Sequence, residues 1–154
     1  MVKALDELER RGFEVSRLSP DRTGAVPPEA VAAALRPDTV LVSLMLVNNE
    51  TGAITDIPAI AKLLKKSGSP ALLHSDAVQA FMKLPFTVKS LGVDMLSISG
   101  HKIHAPKGIG ALYIRNGLKL KPYIMGGSQE GGRRAGTEAM PQIAAFGAAC
   151  DAAR

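Results

Sequence analysis

The stretch Thr39-Val-Leu-Val-Ser-Leu-Met-Leu-Val47-Asn-Asn-Glu50 decides how the rest of the chain reads. Its apolar run, interrupted by Ser43, has the length of a strand. A near-continuous apolar run is the pattern of a strand buried on both faces of a parallel sheet. A polar cluster, Asn48-Asn49-Glu50, follows it at once. The same order recurs twice downstream. Ala71 to Ser75 reads as a strand with His74-Ser75-Asp76-Ala-Val-Gln79 at its end, and Asp94 to Ser99 reads as a strand leading into Ser99-Gly-His-Lys102. Loops at the carboxyl edge of a parallel sheet are where such scaffolds place function, so three polar clusters at three strand ends point to one site.

Outward from these strands, the connecting segments carry helix punctuation. Ile57 to Lys66 reads as a helix, Val88 to Leu91 as a short helical turn, and Ala139 to Ala153 as the last helix. Upstream, Pro28 to Leu35 is a short helix with proline allowed in its first turn and Pro37 beyond its end. Residues 1–11 place Val2, Leu5 and Leu8 on one helical face, with Gly12 at the C′ position. Phe13 to Leu18 alternates apolar and polar residues and predicts a strand, followed by turn chemistry at Pro20 to Gly24. Ile109 to Arg115 completes the strands. Strands alternating with helices define an α/β fold, three-layer, with a mostly parallel sheet.

Composition narrows the function classes. A chain of 154 residues with 46% hydrophobic and 21% charged residues is of ordinary globular type, which excludes disordered and collagen-like classes. No segment approaches the roughly 20 apolar residues needed to cross a bilayer, and the start lacks the apolar stretch of a secretory signal. The single cysteine, Cys150, rules out an intrachain disulfide framework and fits a reducing compartment, so a cytoplasmic location is expected. The net charge of +5 is uneven: the half after residue 77 holds 10 basic and 4 acidic side chains. With 4% aromatic residues, no tryptophan and no long basic run, the chain lacks the stacking platform of a nucleic-acid binder. A small anionic ligand is the expected partner.

Lys102 is the residue around which chemistry gathers. Desolvation at a buried strand end can destabilise the proton on a lysine amine, which makes such a lysine a nucleophile able to form a Schiff base. Asp76, at the end of a neighbouring strand, can supply the carboxylate that keeps a pyridinium nitrogen protonated, as pyridoxal phosphate requires. Ser99 and His101 flank the lysine with donors suited to a phosphate.

With these residues in view, the sequence resembles the cysteine desulfurases of the NifS type and the related selenocysteine lyases. These belong to the class V branch of the fold-type I pyridoxal phosphate enzymes. The resemblance rests on Val47-Asn-Asn-Glu-Thr-Gly52, His74-Ser-Asp-Ala-Val-Gln79, Ser97-Ile-Ser-Gly-His-Lys102, Pro106-Lys-Gly-Ile-Gly110 and Gly126-Gly-Ser-Gln-Glu130 with Arg134-Ala-Gly-Thr137. It implies that Lys102 forms the Schiff base and moves protons at the substrate carbon, and that Asp76 pairs with the pyridine nitrogen. Gln79 and Asn49 would lie near the phenolic oxygen, and Ser99 and His101 at the phosphate. Thr137 would reach the cofactor phosphate of a neighbouring subunit, hence a homodimer. The implied substrate is L-cysteine or selenocysteine, the products alanine and an enzyme persulfide. A sulfur-acceptor protein in iron–sulfur cluster assembly is the implied partner.

The resemblance also implies that residues 1–154 are a partial cofactor-binding large domain, with its N-terminal part and the C-terminal small domain absent. No residue here matches the stacking histidine, the glycine-threonine phosphate loop, the substrate-binding arginine or the persulfide-forming cysteine of that family. Cys150 lies in an alanine-rich helix and reads as a packed structural thiol. Ala105, Gly131 and Ala139 are local departures from the pattern. Alternatives remain open. Ser99-x-x-Lys102 fits a serine acylase motif without its Lys-Thr-Gly companion. His74, Asp76, His101 and His104 are ligand types for a hydrolase metal site. A catalytically silent fragment, or an interaction module retaining part of the fold, is the third.

Overall fold

The computed structural model describes residues 2–154, with side chains from Lys3 onward. Met1 and the side chain of Val2, which the amphipathic pattern placed on the first helix, lie outside the described residues. The order is α1 (Val2–Arg10), α2 (Pro28–Ala34), β1 (Leu41–Met45), α3 (Ile57–Ser67), β2 (Leu72–Asp76), α4 (Val88–Leu91) and β3 (Met95–Ser99). A 3₁₀ turn (Gly100–Ile103), β4 (Gly110–Ile114), a kinked turn α5 (Gln129–Gly132) and α6 (Met140–Ala152) follow.

Helix α3 shows how local sequence fixes an element. Asp56 caps it by accepting a hydrogen bond from the Ala59 N–H at 2.9 Å, and Pro58 occupies the first turn. Gly68 closes it in the left-handed region at φ 67°, its N–H returning to the Leu64 and Lys65 carbonyls. Ile57, Ile60 and Leu64 fall on one face of the helix and are buried. The short α4 forms between a Thr87–Ser90 capping box and Gly92.

The four strands form one sheet in the order β1-β2-β3-β4, with β1, β2 and β3 parallel and β4 antiparallel to β3. The register pairs Val42 with Leu73, Leu44 with Ser75, and Ser75 with Leu96. These side chains share one face, where Val42, Leu44, Leu73 and Leu96 pack with Val31 of α2, Ile57, Ile60 and Leu64 of α3 and Leu91 of α4. Burial of that apolar surface is the main stabilising term, about 1.5–3 kcal/mol for each large side chain. On the opposite face lie Ser43, Met45, His74, Asp76, Ser97 and Ser99, all half-buried. Helix α6 packs against the 3₁₀ turn, with the Phe81 and Phe146 rings edge-to-face at 6.2 Å.

Two expectations are corrected. Phe13 to Leu18 is irregular rather than a strand, and Phe13 is 54% exposed. Alternation describes a strand only where a neighbour supplies the hydrogen-bond ladder. Here side chains anchor the segment instead. The Arg17 guanidinium donates to Glu9 at 2.8 Å and to Asp6 at 2.7 Å, and Arg36 donates to the Glu14 carbonyl and the Ser16 hydroxyl. The Thr39 to Val47 run, expected to be buried on both faces, yields the shorter β1 with alternating burial, its start Leu41 being 46% exposed.

Candidate functional site

The register decides which polar residues meet. Parallel pairing sets Asp76 of β2 beside Ser97 of β3, so Ser99 follows two residues further along the same face. The sheet continues past the strand ends through the Leu46 N–H to the Asp76 carbonyl and the Ala77 N–H to the Ser97 carbonyl, each at 2.9 Å. This holds the three strand ends level. His74 and Asp76, read from sequence as lying at and just after a strand end, are both within β2.

The Asp76 Oδ1 accepts a hydrogen bond from the Val78 N–H at 2.9 Å, which fixes the carboxylate. No donor among the described residues engages its second oxygen, leaving that oxygen available to a ligand. Ser99 Oγ and His101 Nδ1 are hydrogen-bonded at 2.7 Å, with His101 exposed and Ser99 half-buried. Lys102 is half-buried within the 3₁₀ turn that β3 feeds, and His104 ends that turn at φ 68°. Asp76, Ser99, His101 and Lys102 therefore come from two adjacent strands and the turn that continues one of them.

The other expected residues lie outside the strands and helices. Asn49 is exposed in the turn after β1, where its amide donates to Glu50 at 2.6 Å. That turn is organised by Asn48, whose Oδ1 accepts from the Glu50 and Thr51 N–H groups. Gln79 is half-buried in the turn after β2 and, among the described residues, makes no hydrogen bond to the other site residues. Thr137 is exposed before α6, and none of its hydrogen bonds among the described residues reaches them either. No cluster of three or more His, Cys, Asp or Glu side chains that could hold a metal occurs among the described residues. Cys150 is a half-buried free thiol in α6.

Sequence reading missed a polar row on the same face. Ser43 Oγ and His74 Nδ1 are hydrogen-bonded at 2.8 Å, and His74 Nε2 and Ser97 Oγ at 2.9 Å. The available signal was polar residues at alternate positions of apolar strands. Burial makes His74 harder to protonate than an ordinary histidine, and the nearby Asp76 carboxylate partly opposes this. In the unfolded chain His74 takes up its proton more readily, so stability is full above the ordinary histidine pKa and falls as pH drops towards the folded value. Melting temperatures between about pH 7 and pH 5 are expected to fall more steeply in the wild type than in His74→Gln. Parallel curves would exclude His74 as the source.

A lysine, a carboxylate and a hydrogen-bonded serine–histidine pair thus stand at the carboxyl edge of a mostly parallel α/β sheet. The chain belongs to the aminotransferase class-V family, whose model matches residues 2–153. It is 47% identical over 154 residues to "Cysteine desulfurase 2" of Trichormus variabilis, covering 100% of this chain and 38% of that relative. Among solved structures, a "NIFS-LIKE PROTEIN" superposes with a TM-score of 0.94 at 39% identity, covering 99% of this chain and 42% of the other. SspA, solved in complex with cysteine, gives a TM-score of 0.93 at 40% identity, covering 97% and 43%. The chain thus spans about two fifths of the length of these relatives. No helix among the described residues is long and apolar enough to cross a membrane.

Proposed function

We propose that this chain is the pyridoxal phosphate-binding core of a cysteine desulfurase-like enzyme, a partial large domain of that fold. The whole reaction takes the sulfur of L-cysteine, or the selenium of selenocysteine, onto an enzyme thiol and leaves alanine. The carrying observation is the placement of Asp76, Ser99, His101 and Lys102 on adjacent strand ends, in a chain related to cysteine desulfurases.

The donor set fits the group. When bound, pyridoxal phosphate supplies an aldehyde and an electron-withdrawing pyridinium ring. The free oxygen of Asp76 accepts the ring N–H and holds that proton. Ser99 and His101 would stand together at the phosphate, their mutual hydrogen bond leaving one of the pair to donate to a phosphate oxygen while the other holds it in place. The phosphate charge makes that bond stronger than a neutral one. The Lys102 amine would hold the group through its aldehyde carbon, the aldehyde oxygen leaving as water, and would move the proton at the substrate α-carbon. Asn49 and Gln79 orient the ring from the side of its phenolic oxygen. Thr137 serves the phosphate of a second subunit in a homodimer. A cytoplasmic setting and a sulfur-acceptor protein complete the reading.

A second reading is favoured by Cys150. This free thiol is half-buried in α6, a packed structural position, which supports a chain that holds cofactor without completing sulfur transfer.

The test is reduction of the protein–pyridoxal phosphate mixture with borohydride, followed by peptide mass mapping. An adduct on Lys102, lost in Lys102→Ala, is the expected result. Absence of adduct on the wild-type chain, or equal labelling of the variant, would remove the cofactor from this chain. An adduct without sulfide release from added cysteine would select the second reading.

A further inference from the structure

Three strands contribute one side chain each to a continuous hydrogen-bonded row: Ser43 from β1, His74 from β2 and Ser97 from β3. Leu41, Met45, Leu72 and Met95 surround the row on the same face. A half-buried imidazole amid apolar neighbours needs partners for both ring nitrogens, and here both have one. The reach is diagonal. His74 is in register with Ser43 and Met95, yet its Nε2 bonds Ser97, the register partner of Asp76. The ring therefore braces the pair of positions on which the carboxylate stands.

We propose that His74 is a positioning residue for Asp76, an imidazole that ties β1, β2 and β3 together on the face that carries the carboxylate. This rests on the reading in which Asp76 accepts a cofactor ring N–H. Because a serine hydroxyl can both donate and accept, the two serines hold the ring in either tautomer. Among the described residues, Asp76 is the other ionisable side chain on this face of the four strands; Tyr113 of β4, in register with Leu96, lies on the opposite face, and His101 and Lys102 follow in the turn after β3. A protonated His74 would place a cation two residues from Asp76, competing with the cofactor for the same carboxylate. A neutral His74 does not.

The test begins on the cofactor-free protein, by NMR titration of the His74 ring nitrogens and the Asp76 carboxyl carbon. The Asp76 resonance is expected to show a second inflection at the pH where His74 titrates. That inflection disappears in His74→Gln, and Asp76→Asn moves the His74 midpoint further down. With pyridoxal phosphate added, His74→Leu is expected to weaken binding about tenfold, the size of one lost hydrogen-bonded strut. His74→Gln restores most of that loss and flattens the acid limb of the binding profile. An Asp76 resonance indifferent to His74 would overturn the proposal, as would wild-type binding by a folded His74→Leu. Coupling in the cofactor-free protein without any adduct on wild-type Lys102 would overturn the proposed function and leave the His74–Asp76 linkage standing.

Discussion

Asp76→Asn is expected to weaken pyridoxal phosphate binding about a hundredfold, because removing one member of a hydrogen-bonded charge pair costs roughly 2–5 kcal/mol. The substitution keeps the size of the side chain and an oxygen able to accept from the Val78 N–H, which Asp76 holds at 2.9 Å. What it removes is the negative charge that makes a protonated ring nitrogen favourable. The measurement is a spectrophotometric titration of wild type and variant, with far-ultraviolet circular dichroism to confirm an unchanged fold. Equal affinities would release Asp76 from the role assigned to it.

Gly110→Ala is expected to be the most damaging small substitution in the sheet. A Cβ at Gly110 would lie 2.5 Å from the carbonyl oxygen of Ile98, a backbone atom that cannot swing aside like a side chain. Relief requires β3 and β4 to separate where Ser99 pairs with Gly110 and Ile98 with Ala111. The expected cost is about 3 kcal/mol, which lowers the melting temperature of a chain this size by about 10 °C. Gly147→Ala is the control. Its added Cβ meets nothing within 4 Å, on an exposed position of α6, so a gain of roughly 0.5–1 kcal/mol is expected. Thermal unfolding of the two variants decides the matter, and a Gly110→Ala protein melting with the wild type would refute the close approach.

These residues also show what could be read without coordinates. Asp56, Pro58 and Gly68 mark α3 because caps act within a few residues of themselves. Asp76, Ser99, His101 and Lys102 were legible because each follows an apolar run that ends at the same edge. Phe13 to Leu18 was misread because alternation describes only one strand and says nothing of a neighbour to pair with. The row through Ser43, His74 and Ser97 was invisible for a related reason. Its members are distant in the chain and meet only through the register of two strand pairs. Local pattern finds edges and faces; register finds partners.

The antiparallel β4 has a consequence for the order of assembly. β3 and β4 are joined across Gly100–Ile109, whereas β1 and β2 are separated by Leu46–Ala71, which includes a whole helix. Closing the shorter connection costs less chain entropy, and contacts between near neighbours in sequence form fastest. The arm that carries Ser99, His101 and Lys102 is thus expected to find its shape first during folding, with β2 and its Asp76 and β1 and its Ser43 docking onto it afterwards. The lysine's turn would then serve as a template for the edge rather than its last addition.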